Sequence, residues 1–402
     1  MTENAFPART LTLTERAPHV CRMAPDDVDF LLTQQRGRVE VQPTGRRHTY
    51  RLTATGYVGV VVAPRCRIVI RPKIPLRNLF HLLDPDADLC PASEKPAATE
   101  PGAAGNEALN FLAVQFVARL RERLDAGLQR GYAERAHCGP VLQGRLDVVA
   151  QMRHAAAKEQ LHSRLDDFTA DIPCNRVVRA VAEHLATSPL VEPALRARLR
   201  QALPGFLDVQ AVLLSPALFD AADVDARATA YRQLLDLCRV LGGALGAQSA
   251  PGFLLNMDQV FERYVARGVQ AAFATSRRHR VAVQRSYRFH QPVAGQADLL
   301  MRPDLSIERD GRPCLVVDAK WKRTAGRQGP TDDLYQMLAY AAGLGAGRVV
   351  LVYPGQRDRR RALDLLQAPV QVALWTLQVT GTPERCSRSL HRLGRELRKA
   401  VR

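Results

Sequence analysis

One stretch at 302–323, RPDLSIERDGRPCLVVDAKWKR, constrains the fold of this chain more than any other segment. The Asp-Gly dipeptide in its middle typically joins two antiparallel strands through a tight turn. The return strand contains CLVVD, a continuous apolar run typical of a strand that is buried on both faces. Side chains alternate along a strand, so Asp318 and Lys320 share one face, and Asp304 can lie beside Asp318 across the hairpin. The sequence therefore predicts that two carboxylates and one ammonium group meet at the end of a buried strand.

These three charged groups indicate a chemistry as well as a fold. Burying them is costly unless they are paired or hold a metal ion. Hydrolysis of a phosphodiester uses such a set, because carboxylates bind Mg²⁺, the cation activates water, and a lysine orients that water or stabilises charge. A D-x-K triplet alone is better explained as a strand end that emerges into solvent, but the upstream RPD and the following helix favour a functional site. Asp298 also precedes this strand, and its longer separation from Asp318 makes Asp304 the preferred first acid.

Two predicted helices carry further candidate residues. In DDLYQMLAYAAG (332–343), Gln336 and Tyr340 are four positions apart and share one helix face. Taken alone, Tyr340 would be a core residue and Gln336 its edge. Glu262, on an amphipathic helix at 257–273, can supply another acid, although an isolated helical glutamate is usually solvated.

The pattern of elements predicts an α/β protein with several domains, since 402 residues exceed one compact core. We expect a β-rich N-terminal domain at 1–84, a Pro- and Ala-rich linker at 85–106, a helical middle region at 107–250 and an α/β domain at 251–402. The apolar residues of 109–131 recur with helical spacing, which predicts one long helix there. Other helices are predicted at 26–34, 177–185, 193–203, 229–245 and 332–342 and in the basic C-terminal segment, and strands at 49–63, 65–74, 281–289, 297–301, 304–308, 314–318, 348–354 and 370–379.

The charge balance indicates a polyanionic partner. Lys and Arg number 57 against 40 acids, which gives a net charge of +17 and an isoelectric point near 10.1. Phosphate neutralisation with counterion release drives binding by such surfaces, although an Arg-rich proteome would also make many proteins basic. Two basic groups lie in the predicted α/β domain, the first at positions 277–280, 285 and 288 and the second at positions 357 and 359–361.

Several classes of protein are disfavoured by patterns that the sequence lacks. The eight cysteines form no CxxC pair, and the histidines form no HExxH pattern, which argues against disulfide frameworks and zinc hydrolases. No GxSxG or GxxxxGK[ST] motif occurs, which argues against an α/β-hydrolase and against a P-loop nucleotide site. No apolar run approaches the roughly 18 residues of a membrane span, and the first residues lack an apolar signal core, so we expect a cytoplasmic protein that contacts no membrane.

At these residues the chain resembles a known family. RPD-x13-DAK followed by DLYQMLAYA is similar to the PD-(D/E)XK nuclease superfamily, and specifically to the McrC family, the nuclease subunits of McrBC-type restriction systems that act on 5-methylcytosine. The similarity extends over most of the chain, in the segments IRPKIPLRNLF (70–80), LQRGY (128–132), LQGRLDV (142–148), DDFTADIPCNRVVRA (166–180) and NMDQVFERYV (256–265). The resemblance implies a restriction-endonuclease-like α/β core in the C-terminal domain.

The resemblance also implies a role for each catalytic candidate. Asp304 and Asp318 match the paired acids that hold Mg²⁺, for which Mn²⁺ can substitute. Lys320 matches the catalytic lysine. Glu262 matches the acid of the first helix, and Gln336 belongs to the QxxxY helix found in several branches of the superfamily.

The implied partners are double-stranded DNA and an AAA+ GTPase subunit that recognises modified DNA and translocates it. Tyr340 of the QxxxY helix, together with Lys322, Arg285 and Arg288, is expected to contact DNA. The N-terminal domain and part of the helical region are expected to dock on the GTPase ring. Two other hypotheses stay open: an activator and scaffold of an AAA+ ring with a dormant nuclease site, and a nuclease that acts on RNA or branched DNA without a motor.

Overall fold

The structure, a computed structural model of the chain, describes residues 9–83, 103–153, 160–225, 229–245, 252–288, 300–322, 331–363 and 370–401. The chain divides into two compact units. The first comprises residues 1–58, 63–104 and 255–402, and the second comprises residues 59–62 and 105–254. Among the helices within the described ranges, none is both long and apolar enough to cross a membrane.

The N-terminal part of the chain is rich in short strands, as its alternating sequence predicts. Strands β2 and β3 flank β4 in an antiparallel sheet, while β1 and β6 pair in parallel. Apolar residues of β6 at positions 68–70 are fully buried, which fixes this strand in the core. The elements are β1 (Arg9–Thr14), β2 (Pro18–Arg22), α1 (Pro25–Gln34), β3 (Val39–Pro43), β4 (Thr49–Ala54), β5 (Tyr57–Val62), β6 (Cys66–Arg71) and α2 (Leu76–Leu83).

The middle of the chain combines helices with a small sheet. Strand β9 pairs antiparallel with both β7 and β8, and the helices follow. The elements are α3 (Ala103–Asp125), β7 (Gly131–Gly139), β8 (Arg145–Leu146), α4 (Val148–Arg153), β9 (Leu161–Thr169), α5 (Pro173–Thr187), α6 (Pro193–Ala202), a 3₁₀ turn (Leu203–Phe206), α7 (Pro216–Asp225), α8 (Thr229–Leu245) and β10 (Gly252–Asn256).

Two expectations for this region were wrong. The helix predicted over 109–131 ends at Asp125, because Gly127 adopts a left-handed conformation with φ +81° and the next residues pair with β9. The region is also not purely helical, since it contains β7, β8 and β9. Tyr132 on β7 is 78% exposed and Phe168 on β9 is 53% exposed. The sequences of β7 (GYAERAHCG) and β9 (LHSRLDDFT) also lack the regular alternation of apolar and polar residues by which strands are recognised.

The C-terminal part of the chain builds a larger α/β layer. Helix α9 begins where predicted because the Asn256 side chain caps it, accepting hydrogen bonds from the backbone N–H groups of residues 258 and 259 at 3.0 and 3.3 Å. The elements are α9 (Met257–Phe273), β11 (His279–Val283), β12 (Tyr287–Arg288), β13 (Leu300–Met301), β14 (Leu305–Arg309), β15 (Arg312–Ala319), α10 (Thr331–Leu344), β16 (Arg348–Gly355), β17 (Arg359–Leu363), β18 (Gln371–Gln378) and α11 (Pro383–Ala400).

Six of these strands form one mixed sheet in the order β11-β14-β15-β16-β18-β17. Strands β11, β14 and β15 are antiparallel neighbours, and β15, β16 and β18 run parallel. The predicted turn between β14 and β15 is confirmed, since Asp310 and Gly311 have φ angles of +51° and +78°. The step from β15 to the parallel strand β16 needs a crossover, and α10 lies between them in the chain.

The middle of β15 is fully apolar, as the CLVVD run predicts. Leu315, Val316 and Val317 are completely buried. Met337 and Ala341 of α10 belong to the same buried cluster as Val316 and cover one face of the sheet. A strand buried in this way projects its first polar side chains only where it ends, and this places the candidate site at the end of β15.

Candidate active site

The three predicted charged residues converge at the end of β15. Leu305 pairs with Val317 across the hairpin, so Asp304 and Asp318 are the next residues on the two strands. Asp318 is 2% exposed, and its Oδ2 lies 2.8 Å from Nζ of Lys320. Asp304 accepts a hydrogen bond of 2.8 Å at Oδ2 from the backbone N–H of Ala319. The structure therefore brings two carboxylates and one ammonium group together, as the sequence predicts.

The electrostatics of this cluster favour binding of a cation. Burial, and then the neighbouring Asp318 carboxylate, raise the pKa of Asp304 to about 7. Burial also raises the pKa of Asp318, because it outweighs the stabilising charge and hydrogen bond of Lys320. Burial alone would lower the pKa of Lys320, but the charge and hydrogen bond of Asp318, together with the charges of Asp304 and Asp333, outweigh burial and raise it. Two carboxyl groups that are costly to ionise share one ammonium group, so a further positive charge would stabilise their ionised forms.

Glu262 joins the cluster from α9. Burial, and then Asp304, raise the pKa of Glu262 to about 8. Gln284 donates a hydrogen bond of 2.9 Å from Nε2 to Glu262 Oε2, and its backbone N–H donates to the carbonyl oxygen of Asp304 at 2.9 Å. Arg302 Nε in turn donates to the Gln284 carbonyl oxygen at 2.9 Å. Gln284 has φ +46°, a left-handed conformation that is uncommon for a residue other than glycine and often found at functional sites. Glu262 is thus part of the site, and Gln284 connects it to Asp304.

Gln336 and Tyr340 lie on one face of α10, as their spacing predicts. Gln336 Nε2 donates to the Tyr340 hydroxyl at 3.1 Å, and that hydroxyl donates to the carbonyl oxygen of Arg302 at 3.3 Å. Because Arg302 is two residues before Asp304, this bond ties α10 to the chain that leads into the site. Tyr340 is half-buried and Gln336 is exposed, so the amide side chain remains accessible at the edge of the site.

Two of the cations predicted to contact DNA pair with buried carboxylates. Lys322 Nζ lies 2.8 Å from Oδ1 of Asp333, which is 5% exposed and accepts a second hydrogen bond of 2.7 Å from Tyr353. Arg285 Nη1 lies 2.9 Å from Oε1 of Glu308, which is 3% exposed.

Two further residues that the sequence offers as candidates are Arg288, for DNA contact, and Asp298, as the alternative first acid. Arg288 is an exposed residue of β12. The alternative first acid, Asp298, lies outside the described residues. Of the two candidates for the first acid, the structure therefore places only Asp304.

The donor set at this site suits a hard divalent cation. Mg²⁺ is typically bound by one or two carboxylates and keeps several waters. Asp304 and Asp318, which are adjacent, can supply those two carboxylates. Among the residues that the structure describes, no three His, Cys, Asp or Glu side chains are arranged to hold a metal ion by themselves. A closed zinc site of three or four protein ligands is therefore not formed by that part of the chain.

Sequence reasoning did not find several residues of this neighbourhood. Gln284 has no motif around it, and its role depends on a backbone conformation that no local pattern indicates. In the sequence, nothing distinguishes Asp333 from Asp332, the other acid at the start of the same helix. Trp321 follows Lys320 directly but reads as an ordinary core aromatic, and its partner Glu15 lies 306 positions away. Only contacts between distant parts of the chain reveal these residues.

The fold and the site define an α/β protein with a buried cluster of acids and one lysine at the end of a mixed sheet. Comparison with known proteins identifies the family. The family model described as McrBC 5-methylcytosine restriction system component matches residues 52–354, well over half of the chain. The chain belongs to this family, as a subunit of the McrC type. No curated protein matches it.

Two solved structures are similar to the chain. One is a refined half-complex from a tetradecameric assembly of Thermococcus gammatolerans McrB AAA+ hexamers with bound McrC, at 16% identity and a TM-score of 0.52, covering 96% of this chain and 100% of the other. The second is a cryo-EM structure of the Thermococcus gammatolerans McrBC complex, at 17% identity and a TM-score of 0.40, covering 67% of this chain and 89% of the other. At these identities the first match supports the fold, a multidomain α/β arrangement, and no more.

Proposed function

We propose that the chain is the metal-dependent DNA endonuclease subunit of a modification-dependent restriction system and works with an AAA+ GTPase. The observation that carries this proposal is the convergence of Asp304, Asp318 and Lys320 at the end of a buried strand. A charged strand end that simply emerges into solvent would not bury two carboxyl groups, raise their pKa values and hold one of them in an ion pair of 2.8 Å. Membership of the McrBC restriction system component family supports it.

The order of the elements supports a PD-(D/E)XK core. A helix (α9) is followed by three strands that pair antiparallel (β11, β14 and β15), then by a second helix (α10) and a strand parallel to the third (β16). The acids lie at the start of β14 and near the end of β15, and the lysine follows two residues after the second acid. This arrangement is what the resemblance of the sequence implies.

We propose Mg²⁺ as the resident cofactor, with Mn²⁺ as a substitute, held by Asp304 and Asp318. Bound there, the ion would polarise the phosphate and lower the pKa of the attacking water. Lys320 would hold its ammonium group beside that water and stabilise negative charge as it develops on the phosphate. Glu262, oriented by Gln284, would accept a proton once its own carboxyl group has ionised.

DNA would approach over the exposed residues around this cluster. Gln336 and Tyr340 would contact the sugar-phosphate backbone from α10, and Arg288 would contact phosphate from β12. Lys322 and Arg285 are each within 2.9 Å of a buried carboxylate, so they would present donors whose positions are fixed in advance. An arginine held in this way retains N–H groups for a phosphate, because the guanidinium carries five of them.

The GTPase partner is proposed from relatives and from what this sequence lacks. In Thermococcus gammatolerans, McrC is bound to McrB AAA+ hexamers. The present sequence has no GxxxxGK[ST] motif, so a motor would have to be a separate chain. We assign recognition of the modified cytosine to that partner and docking on its ring to the N-terminal domain and part of the helical region.

The test is cleavage of methylated and unmethylated plasmid DNA with Mg²⁺, with and without the AAA+ GTPase and GTP. Asp318→Asn and Lys320→Ala should each abolish cleavage while stimulation of GTP hydrolysis persists. Asp220→Asn, an exposed acid of α7, is the matched control and should cut like the wild type. Cleavage that survives Asp318→Asn would overturn the site assignment. Absence of cleavage by the wild type, with GTP hydrolysis still stimulated, would favour the scaffold hypothesis.

A further inference from the structure

A buried group of three side chains lies against the residue that follows Lys320. Trp321 is completely buried, and its indole Nε1 donates a hydrogen bond of 2.7 Å to Oε1 of Glu15. Lys73 Nζ donates to the carbonyl oxygen of Trp321 at 3.2 Å and lies 4.3 Å from the centre of its ring. The same ammonium group is 3.8 Å from Glu15 Oε1. Glu15 and Lys73 therefore hold Trp321 by its side chain, its ring face and its backbone.

The pairing of two N-terminal strands explains why these side chains meet. Strands β1 and β6 run parallel, with Thr14 opposite Arg71, and the backbone N–H of Glu15 donates to the Arg71 carbonyl oxygen at 2.9 Å. Glu15 follows β1 directly, and Lys73 comes two residues after the end of β6. The carboxyl ends of two parallel strands thus present a carboxylate and an ammonium group side by side, and both contact Trp321, two residues after the end of β15.

Trp321 also reaches the helix that supplies the third acid of the site. Its ring packs on Phe261 of α9 with ring centroids 5.4 Å apart. Phe261 is the neighbour of Glu262. A displacement of Trp321 would therefore disturb both Lys320 and the helix that carries Glu262.

The energetics of this contact argue that it does more than stabilise the fold. A buried ion pair recovers little net free energy, and apolar residues of similar size often stabilise a protein as well or better. In the described part of the chain, Glu15 Oε2 is buried without a hydrogen-bond partner, which adds to the cost. An apolar pair would fill the space but could not fix the orientation of the indole and the carbonyl group of residue 321.

We propose that Glu15 and Lys73 are positioning residues of the active site, which act by holding Trp321 and thereby fix Lys320. This inference rests on the proposed nuclease function. It assigns to the N-terminal domain a direct part in the geometry of the site, in addition to any contact with a partner. Glu15 and Lys73 touch neither the reacting atoms nor the carboxylates that would hold Mg²⁺.

The first test measures cleavage by the full-length protein with its GTPase partner. Glu15→Ala removes the acceptor, and Trp321→Phe removes the donor but keeps a ring against Phe261. Each should lower kcat about tenfold, since small displacements at a reacting centre have such effects, and leave KM for DNA within about twofold. Glu15→Gln retains a carbonyl oxygen for the indole and should recover most of the lost kcat. Glu384→Gln, an exposed residue of α11, is the matched control and should leave kcat unchanged.

The second test does not depend on cleavage. The chain has six lysines, so ¹³C-dimethylated lysine signals can be assigned one by one by Lys→Arg substitution. Mn²⁺ added to wild-type protein should broaden the Lys320 signal most strongly, because Lys320 is 2.8 Å from one of the two proposed metal-binding acids. In Glu15→Ala and Trp321→Phe the ion should still bind, but the broadening of Lys320 should fall at least twofold relative to Lys322.

The outcomes distinguish failure of the positioning role of Glu15 and Lys73 from failure of the proposed nuclease function. Folded Glu15→Ala and Trp321→Phe proteins with wild-type kcat and unchanged Mn²⁺ broadening of Lys320 would overturn the positioning role. Loss of thermal stability alone, with kcat per folded molecule preserved, would likewise reduce Glu15 to a structural residue. If the wild type cleaves no DNA, the proposed function fails, and the Mn²⁺ experiment still decides whether Glu15 positions Lys320.

Discussion

The cost of keeping Glu262 among other acids should be measurable as stability of the metal-free protein. Burial, and then Asp304, raise the pKa of Glu262 from its ordinary value of 4.5 to about 8. A carboxyl group whose pKa is raised by folding stabilises the folded state while it is protonated. That stability is complete below pH 4.5 and is lost as the pH rises through about 8. Glu262→Gln cannot ionise and still offers an oxygen to Gln284, so it should escape this loss.

The magnitude follows from the pKa difference. One pKa unit corresponds to about 1.36 kcal/mol, so the change from 4.5 to about 8 would amount to about 5 kcal/mol without screening. Glu262 is partly exposed, and solvent screening reduces this to about 2 kcal/mol. Between pH 5 and pH 9, we therefore expect the wild type to lose about 2 kcal/mol more of its free energy of unfolding than Glu262→Gln. Ionisation of Asp304 adds a loss that both proteins share.

The assay is urea denaturation in EDTA, followed by tryptophan fluorescence. The chain has two tryptophans, Trp321 and Trp375, and both belong to the unit that contains the site. The fluorescence change therefore reports unfolding of that unit. Glu40→Gln is the control and should follow the wild type at each pH. Parallel curves for the wild type and Glu262→Gln from pH 5 to pH 9 would refute the claim that burial and the neighbouring acids raise the pKa of Glu262.

Three further predictions concern the site, the fold and the DNA contact. Gln284→Gly relieves the left-handed backbone but removes the bond to Glu262, so unfolding free energy should stay within about 1 kcal/mol of the wild type while plasmid cleavage falls about tenfold. Gly268→Ala drives a Cβ atom into the Leu390 side chain where α9 packs on α11, and should lower the unfolding free energy by about 1–3 kcal/mol in the same fluorescence assay. Replacing Arg277, Arg278 and Arg280 by alanine should reduce the slope of log Kd against log salt for duplex DNA by about 2 to 3, whereas an unchanged slope would mean that they do not contact phosphate.

The site could be predicted from the sequence because its signals are local. The turn at Asp310, the apolar run before Asp318 and the alternation that pairs Asp318 with Lys320 all lie within one hairpin. The bounds of α9 were also predictable, because the capping Asn256 and the amphipathic pattern agree. Elements of this kind follow from propensity and periodicity without knowledge of distant contacts.

The remaining features depend on contacts that sequence does not display. Strands β7 and β9 lack a regular alternation of apolar and polar residues, so their sequences do not predict strands. Gln284 became visible only through its backbone conformation and the three bonds that it makes around Asp304. Glu15 pairs with Trp321 across 306 positions, a distance over which one sequence alone offers no signal.

The positive charge of the chain does not by itself locate DNA, because paired and accessible cations contribute equally to it. Arg285 and Lys322, which the sequence predicts to contact DNA, each pair with a buried carboxylate, and this anchoring limits how far they can move toward a phosphate. Arg277, Arg278 and Arg280 are exposed, and together with Arg285 they line an open cleft of about 800 Å³ between the end of α9 and the β14–β15 turn. Counterion release depends on cations that meet phosphate at the surface. In the proposed complex with DNA, Arg277, Arg278 and Arg280 should therefore govern the salt dependence of binding, while Arg285 and Lys322 would orient the DNA over Asp304 and Asp318.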